Sequence, residues 1–221
     1  MSWVNGIKNV NTNIKRYAQF GEEAIFDYIF SNIGTHNSYL VDFGASSLNL
    51  GLSNSKYLLE KGWTGLLMDG KSDGSPLIKE EFITAENICQ LFEKYFTPKV
   101  FDLLSIDIDG NDVWVLEKIL LGGYRPRVII NEFNGCIPVG VNKVMKYNPN
   151  HSWQENDYYG GSFEAFKVLG NKFNYTLVHQ TATTNMIFID SSIVPNLDYG
   201  VTYQQNQYHP HSPNREWVEY N

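Results

Sequence analysis

The stretch SIDIDGND, residues 105–112, sets Asp107 and Asp109 two positions apart at the end of an apolar run. On a strand, that spacing turns both carboxylates to one face and Ile106 and Ile108 to the other. Glu132 and Asn134 repeat the spacing at the end of RVIINEFN. Carboxylates held close together raise one another's pKa, which suits taking a proton from a hydroxyl. The same oxygens suit a divalent cation, with Asn111 or Asn134 helping. The plainer reading is that Asp109-Gly110-Asn111-Asp112 is only a turn into a helix, with Asp112 as its N-cap. The candidate catalytic set is Asp107, Asp109, Glu132 and Asn134.

Two more acids end apolar runs upstream. YLVDFG (39–44) carries Asp42 and Gly44, and TGLLMDG (64–70) carries Asp69 and Gly70. A glycine after the acid allows a sharp bend and a close ligand approach. The stretch lacks the three-glycine fingerprint of a dinucleotide-binding turn, since only Gly44 and Gly51 are present, and no Gly-Lys-Ser/Thr follows. Diphosphate binding is therefore disfavoured. A phosphate-free adenosine ligand with a zwitterionic tail fits better, and S-adenosylmethionine has that form. Asp69, about 27 residues after Asp42, is placed to accept from ribose hydroxyls. Asp42 and the Gly44–Ala45 backbone would lie near the tail or sugar. Ser46, Ser47 and Asn54 would add polar contacts, and Thr84, Ala85, Glu86 and Asn87 would touch the adenine.

These residues need strands and helices to bring them together. AIFDYIF has helical spacing and stops at Gly34, and SNSKYLLEKG (53–62) is a short helix. EEFITAEN contains a short third strand, and NICQLFEKYF (87–96) is helical. FDLLSIDIDG (101–110) is the fourth strand, DVWVLEKILL (112–121) a helix and RVIINEF (127–133) the fifth strand. This alternation predicts an α/β fold with a parallel sheet and helices on both faces. All the acids above then fall on one edge, where open α/β sheets bind ligands. Acids also end strands merely because turns favour them, but four successive strands doing so favours a site.

Residues 135–159 lose periodicity, as a lid or binding loop would. Trp153, Tyr158 and Tyr159 there either stack a sugar ring or pin the loop to the body. His151 is a minor candidate, because lone loop histidines are usually solvated. His179 ends a late strand, and His36, His209 and His211 have no supporting pattern. A helix over 160–173 is capped by Ser162, and YTLVHQ and TNMIFID form a closing strand pair. Expected divisions are an N-terminal arm (1–18), the α/β domain (19–190) and an irregular tail (191–221).

The chain has 221 residues, enough for one α/β domain with a full core. Its net charge of −7 argues against nucleic acid or an anionic membrane as the main partner. Two cysteines, Cys89 and Cys136, make neither a disulfide framework nor a metal motif. With no apolar leader and no apolar run of membrane-spanning length, a cytoplasmic protein is expected.

Taken together, AQFGEEAIFDYIF, VDFGASSLNLGLSNSKYLLEKGWTGLLMDG, FITAEN, FDLLSIDIDGNDVWVLEKI and RPRVIINEFN resemble the FkbM-like group of SAM-dependent methyltransferases. The later GGSFEAFKVLGNKFNYTLVHQ and TNMIFID are similar to that group's last helix and strands. The resemblance spans roughly residues 15–190. It implies a Rossmann-like class I methyltransferase fold with a seven-stranded, mostly parallel sheet. It also implies O-methylation of a saccharide or other small-metabolite hydroxyl. Asp42, Gly44 and Ala45 fall on the first cofactor motif and Asp69 on the ribose acid. Gln19, Gly21 and Glu22 fall on a Gln-x-Gly-Glu element that covers the cofactor. The turn SSLNLG departs from the group's usual glycine- and acid-bearing turn, and the segment 70–81 is short for the usual helix. A second reading is therefore a non-catalytic binding module with a degenerate cofactor loop. A third, a short dehydrogenase, lacks both the glycine fingerprint and a Tyr-x-x-x-Lys pair after the fourth strand.

Overall fold

The computed structural model describes residues 3–13, 16–45, 48, 53–72, 74–181, 184–203, 205 and 209–221. Seven strands form one mixed sheet: β1 (Tyr39–Phe43), β2 (Thr64–Asp69), β3 (Ile78–Glu80), β4 (Val100–Ile106), β5 (Arg125–Glu132), β7 (Tyr175–Thr181) and β8 (Asn185–Asp190). Their spatial order is β3-β2-β1-β4-β5-β8-β7. Strands β1 to β5 run parallel, and β8 alone runs antiparallel to its neighbours β5 and β7. The order reverses between β1 and β4, and at such a switch point the strand ends leave a crevice.

The inner strands are apolar on both sides because both sides are covered. Ile129 of β5 packs with α3 (Ile88–Lys94), α4 (Asp112–Leu121) and α5 (Phe163–Lys172). Its neighbours Val128 and Ile130 pack instead with α1 (Glu22–Ile33) and α2 (Lys56–Glu60). The N-terminal arm joins that second core. A short 3-10 helix, Val4–Asn9, buries Val4 and Ile7, and Tyr28 donates its hydroxyl to the Trp3 carbonyl.

Asp102 anchors the end of the sheet away from the crevice. Its fully buried carboxylate accepts from the backbone N–H groups of His36, at 2.8 Å, and Ser38, at 2.7 Å, and from Arg127 at 2.6 Å. A buried charge is tolerated when it is paired and hydrogen-bonded in this way. The arrangement fixes β1, β4 and β5 relative to the end of α1, and so aligns their opposite ends.

Two strands differ from expectation. The third is Ile78–Glu80 rather than EEFITAEN. Thr84 and Asn87 exchange hydrogen bonds, Thr84 N–H to Asn87 Oδ1 at 2.8 Å and Asn87 N–H to Thr84 Oγ1 at 3.2 Å. Such local side-chain bonds compete with a sheet ladder and start α3 instead. The fourth strand ends at Ile106, so Asp107 and Asp109 lie beyond it. Asp112 is the first residue of α4 rather than its N-cap, which is Asn111. Its carboxylate closes the preceding turn by accepting from Ile108 N–H at 2.9 Å and Gly110 N–H at 2.8 Å. Ser162 does cap α5, accepting from Ala165 N–H at 3.1 Å.

The aperiodic stretch after β5 is clasped by the tail. Strand β6 (Val144–Met145) pairs with β9 (Trp217–Val218). Buried Asp157 accepts from Ser212 N–H and from Arg215 Nε, both at 2.6 Å. Tyr203 donates to the Ile137 carbonyl at 2.5 Å. Among the described residues, no helix is long and apolar enough to cross a membrane.

Candidate active site at the strand ends

At the switch point lies a cavity of about 510 Å³, within the usual range of roughly 300–1,000 Å³ for small-molecule sites. Gly44, at the end of β1, and the turn Asp107–Gly110, after β4, form its floor. Asp69 and Gly70 bound it on the β2 side, and Gln19 and Asn54 complete that wall. Phe82, 55% exposed, and Trp153, 37% exposed, stand at its rim.

Gly44 has φ +77°, and a Cβ on it would fall 1.7 Å from the Asp107 carbonyl oxygen. The left-handed conformation already disfavours a side chain, and the contact forbids one. The glycine thus lets the ends of β1 and β4 meet backbone to backbone. Asp42, two residues earlier, lies beneath the floor. It is 4% exposed, does not line the cavity, and is hydrogen-bonded by Ser55 and Ser105. Burial pushes its carboxyl up to about 6, with the two serines pulling the other way.

Asp69 is half-buried and does line the cavity. One of its oxygens accepts from Lys71 N–H at 2.7 Å. Desolvation raises its pKa, while the Lys71 backbone bond and charge lower it.

Asp107, Asp109 and Glu132 each bring one carboxylate oxygen within 4.8 Å of the others. The carboxylates converge, but through the turn and not through strand periodicity: β4 ends at Ile106, and Ile108 lines the cavity beside the acids while also packing against the α3–α4 core. Asp109 adopts φ +50°, uncommon for a residue with a side chain and concentrated at functional sites. Desolvation and then the neighbouring carboxylates raise the pKa of all three, Asp109 to about 6. The hydrogen bond between Glu132 and Asp107 raises the former and lowers the latter. Glu132 is the more enclosed of the two, and Asp107, pushed up to about 8 by burial and the neighbouring carboxylates, faces the cleft. These oxygens are also a hard donor set that could hold a divalent cation.

Other expected residues do structural work. Asn134 is fully buried, donates to the carbonyls of Asp157 and Tyr159 at 2.8 Å, and accepts from Cys136 N–H. It anchors the base of the lid, and its place in the catalytic set is corrected accordingly. Gly21, at φ +79°, starts α1, and a Cβ there would lie 2.3 Å from the Thr12 carbonyl oxygen. Glu22 is buried and accepts from Thr181 and Asn185, at 2.9 and 3.0 Å, tying α1 to the far strands. Ala45 is core. Thr84 and Asn87 bond each other, and Glu86 is taken by Tyr147 of the lid. Ser46 and Ser47 lie outside the described residues.

The lid aromatics divide. Tyr158 donates to the Glu216 carbonyl and packs on Trp217 at 5.0 Å, and Tyr159 is buried. Both pin the lid, and only Trp153 of the three lines the cavity. His151 lines it too, resting on Gly110, where a Cβ would meet its ring at 2.6 Å. Burial lowers its pKa. Lys71, Phe82 and Asn185 also line the cavity and were not anticipated. Phe82 sits two residues past the third strand, which a correct end for that strand would have revealed. Asn185 carries no local signal.

Among the described residues lining the cavity, Asp69, Glu81, Asp107 and Asp109 face one lysine, Lys71, and His151, whose burial disfavours its charged form. Such a cleft repels phosphates and attracts a cation. No family model matches this chain, and no curated protein matches it.

Proposed function

We propose that this protein is a SAM-dependent methyltransferase acting on a hydroxyl of a saccharide or other small metabolite. The observation that carries the reading is the anionic cavity at the β1–β4 switch point, with Asp69 at the end of β2. The donor's sulfonium is a cation and its adenosine carries no phosphate, which matches four acids opposed by one lysine. The resemblance of residues 15–190 to FkbM-like methyltransferases supports the same assignment.

In this reading Asp69 accepts from the ribose hydroxyls, and Gly44, Asn54 and Gln19 enclose the amino-acid tail. The donor, when bound, supplies an activated methyl group with its leaving group already in place. The chain's own residues orient the acceptor and exclude water. Trp153 gives the acceptor ring an apolar face at the rim. Asp109, with a carboxyl near 6, is ionised at neutral pH and takes the hydroxyl proton. Asp107, hydrogen-bonded to Glu132, lines the same cleft beside it.

A thermal-shift panel tests this. SAM and S-adenosylhomocysteine should stabilise the protein in a saturable way, and NAD and ATP should not. Stabilisation by NAD or ATP alone would replace the reading with a nucleotide-phosphate enzyme. Saturable SAM binding without turnover on any hydroxyl acceptor would favour the binding module.

A further inference from the structure

The loop between β3 and α3 presents a backbone donor and a carboxylate side by side, at Ala85 N–H and Glu86. Both are engaged by one group. The Tyr147 hydroxyl accepts from Ala85 N–H at 3.2 Å and donates to the Glu86 carboxylate. Ile83, two residues before Ala85, lines the cavity, whereas Ala85 and Glu86 do not.

The amino edge of adenine has the same polarity on adjacent atoms. Its ring nitrogen accepts and its exocyclic amine donates. Tyr147 offers the loop that pattern from a single oxygen. It is carried by the lid, two residues after β6. The lid is tied to the cavity wall beside it: Asn111, a lining residue, donates to the Asn148 carbonyl at 2.8 Å and accepts from Asn148 N–H at 3.3 Å. Trp114 holds the Tyr147 ring edge-on at 6.4 Å.

We propose that Tyr147 is an internal stand-in for the adenine edge, so that the donor's purine reaches Ala85 and Glu86 only by displacing a lid side chain. This rests on the methyl-donor reading. Entry of the purine breaks the two hydrogen bonds of the Tyr147 hydroxyl and re-forms both with the base, so the site reads a 6-amino purine and releases that side chain in one exchange. A 6-oxo purine would turn an oxygen toward the Glu86 carboxylate and could not make the exchange.

The test is calorimetry with S-adenosylhomocysteine on the wild type and Tyr147→Phe, joined by adenosine and inosine as small probes. Phenylalanine keeps the ring packed on Trp114 and removes only the competing hydroxyl. The variant should bind S-adenosylhomocysteine several-fold to about tenfold more tightly, the scale of a released hydrogen-bond competitor. Adenosine should be preferred over inosine by both proteins, and Glu86→Gln should diminish that preference. Equal affinity of wild type and variant for S-adenosylhomocysteine overturns the stand-in and leaves the methyl-donor reading intact. Adenosine and inosine binding alike would likewise overturn it. Absence of binding to both proteins overturns the methyl-donor reading itself, and the stand-in with it.

Discussion

Asp42→Asn should make the protein more stable, and the gain should depend on pH. Asp42 is 4% exposed, and its carboxyl is displaced from 3.8 to about 6, first by burial. A carboxyl whose pKa is raised on folding favours the fold fully at pH values below its unfolded pKa. That contribution is lost as pH climbs through the folded value. In the wild type the loss therefore falls between about pH 4 and pH 6. At 1.36 kcal/mol per pH unit, the displacement corresponds to about 3 kcal/mol. Asparagine does not titrate, so the loss disappears. The Ser55 and Ser105 hydroxyls, which both donate to the carboxylate, can rotate so that one accepts from the amide. Any cost of that exchange is the same at every pH and cancels in the comparison. Urea denaturation at pH 4 and pH 7 gives the measurement. Because part of the loss has already occurred at pH 4, the stability difference, variant minus wild type, should be about 2.4 kcal/mol larger at pH 7 than at pH 4. A difference constant across that interval would refute the burial argument, and with it the claim that acids are forced beneath the floor of this cleft.

Gly44→Ala should destabilise the fold by about 2–4 kcal/mol, combining the left-handed backbone penalty with displacement of the Asp107 carbonyl. Denaturant midpoints read this, and a loss below about 1 kcal/mol would show that β1 and β4 do not depend on that contact. Asp109→Asn should retain S-adenosylhomocysteine affinity and lose methyl transfer by about 10²-fold or more, as expected for a lost general base. In the wild type the rate should fall as pH drops through about 6, where Asp109 takes up a proton. A normal rate in the variant, or a flat pH profile, would remove Asp109 from the base role.

Much of the architecture was legible because apolar runs and helical spacings are local. The helix Asp112–Leu121 was read with its bounds intact, and the acids of four parallel strands do end on one edge. Errors arose where a side chain out-competed the backbone ladder. Thr84 and Asn87 ended β3 early, and Asp112 turned away from capping to close the turn at Ile108 and Gly110. Residue types alone did not separate Asp69, which lines the cavity, from Asp42, which is buried behind it. One step of register before the glycine decides that, and the Gly44–Asp107 contact sets the register. Asn134 is the clearest case of a polar residue at the right edge with a structural task, since its amide is spent on lid carbonyls 23 and 25 residues away. Asn185 reaches the site from a strand that the alternation of acids did not touch.

The central claim is that the crevice at the β1–β4 switch point holds a phosphate-free adenosine donor by way of Asp69. Calorimetric titration of S-adenosylhomocysteine into the wild type and Asp69→Ala tests it most directly. The account predicts one saturable site in the wild type, weakened by about 1–3 kcal/mol in the variant through lost bonds to a charged group. Equal affinities, or no heat of binding to the wild type, would contradict it.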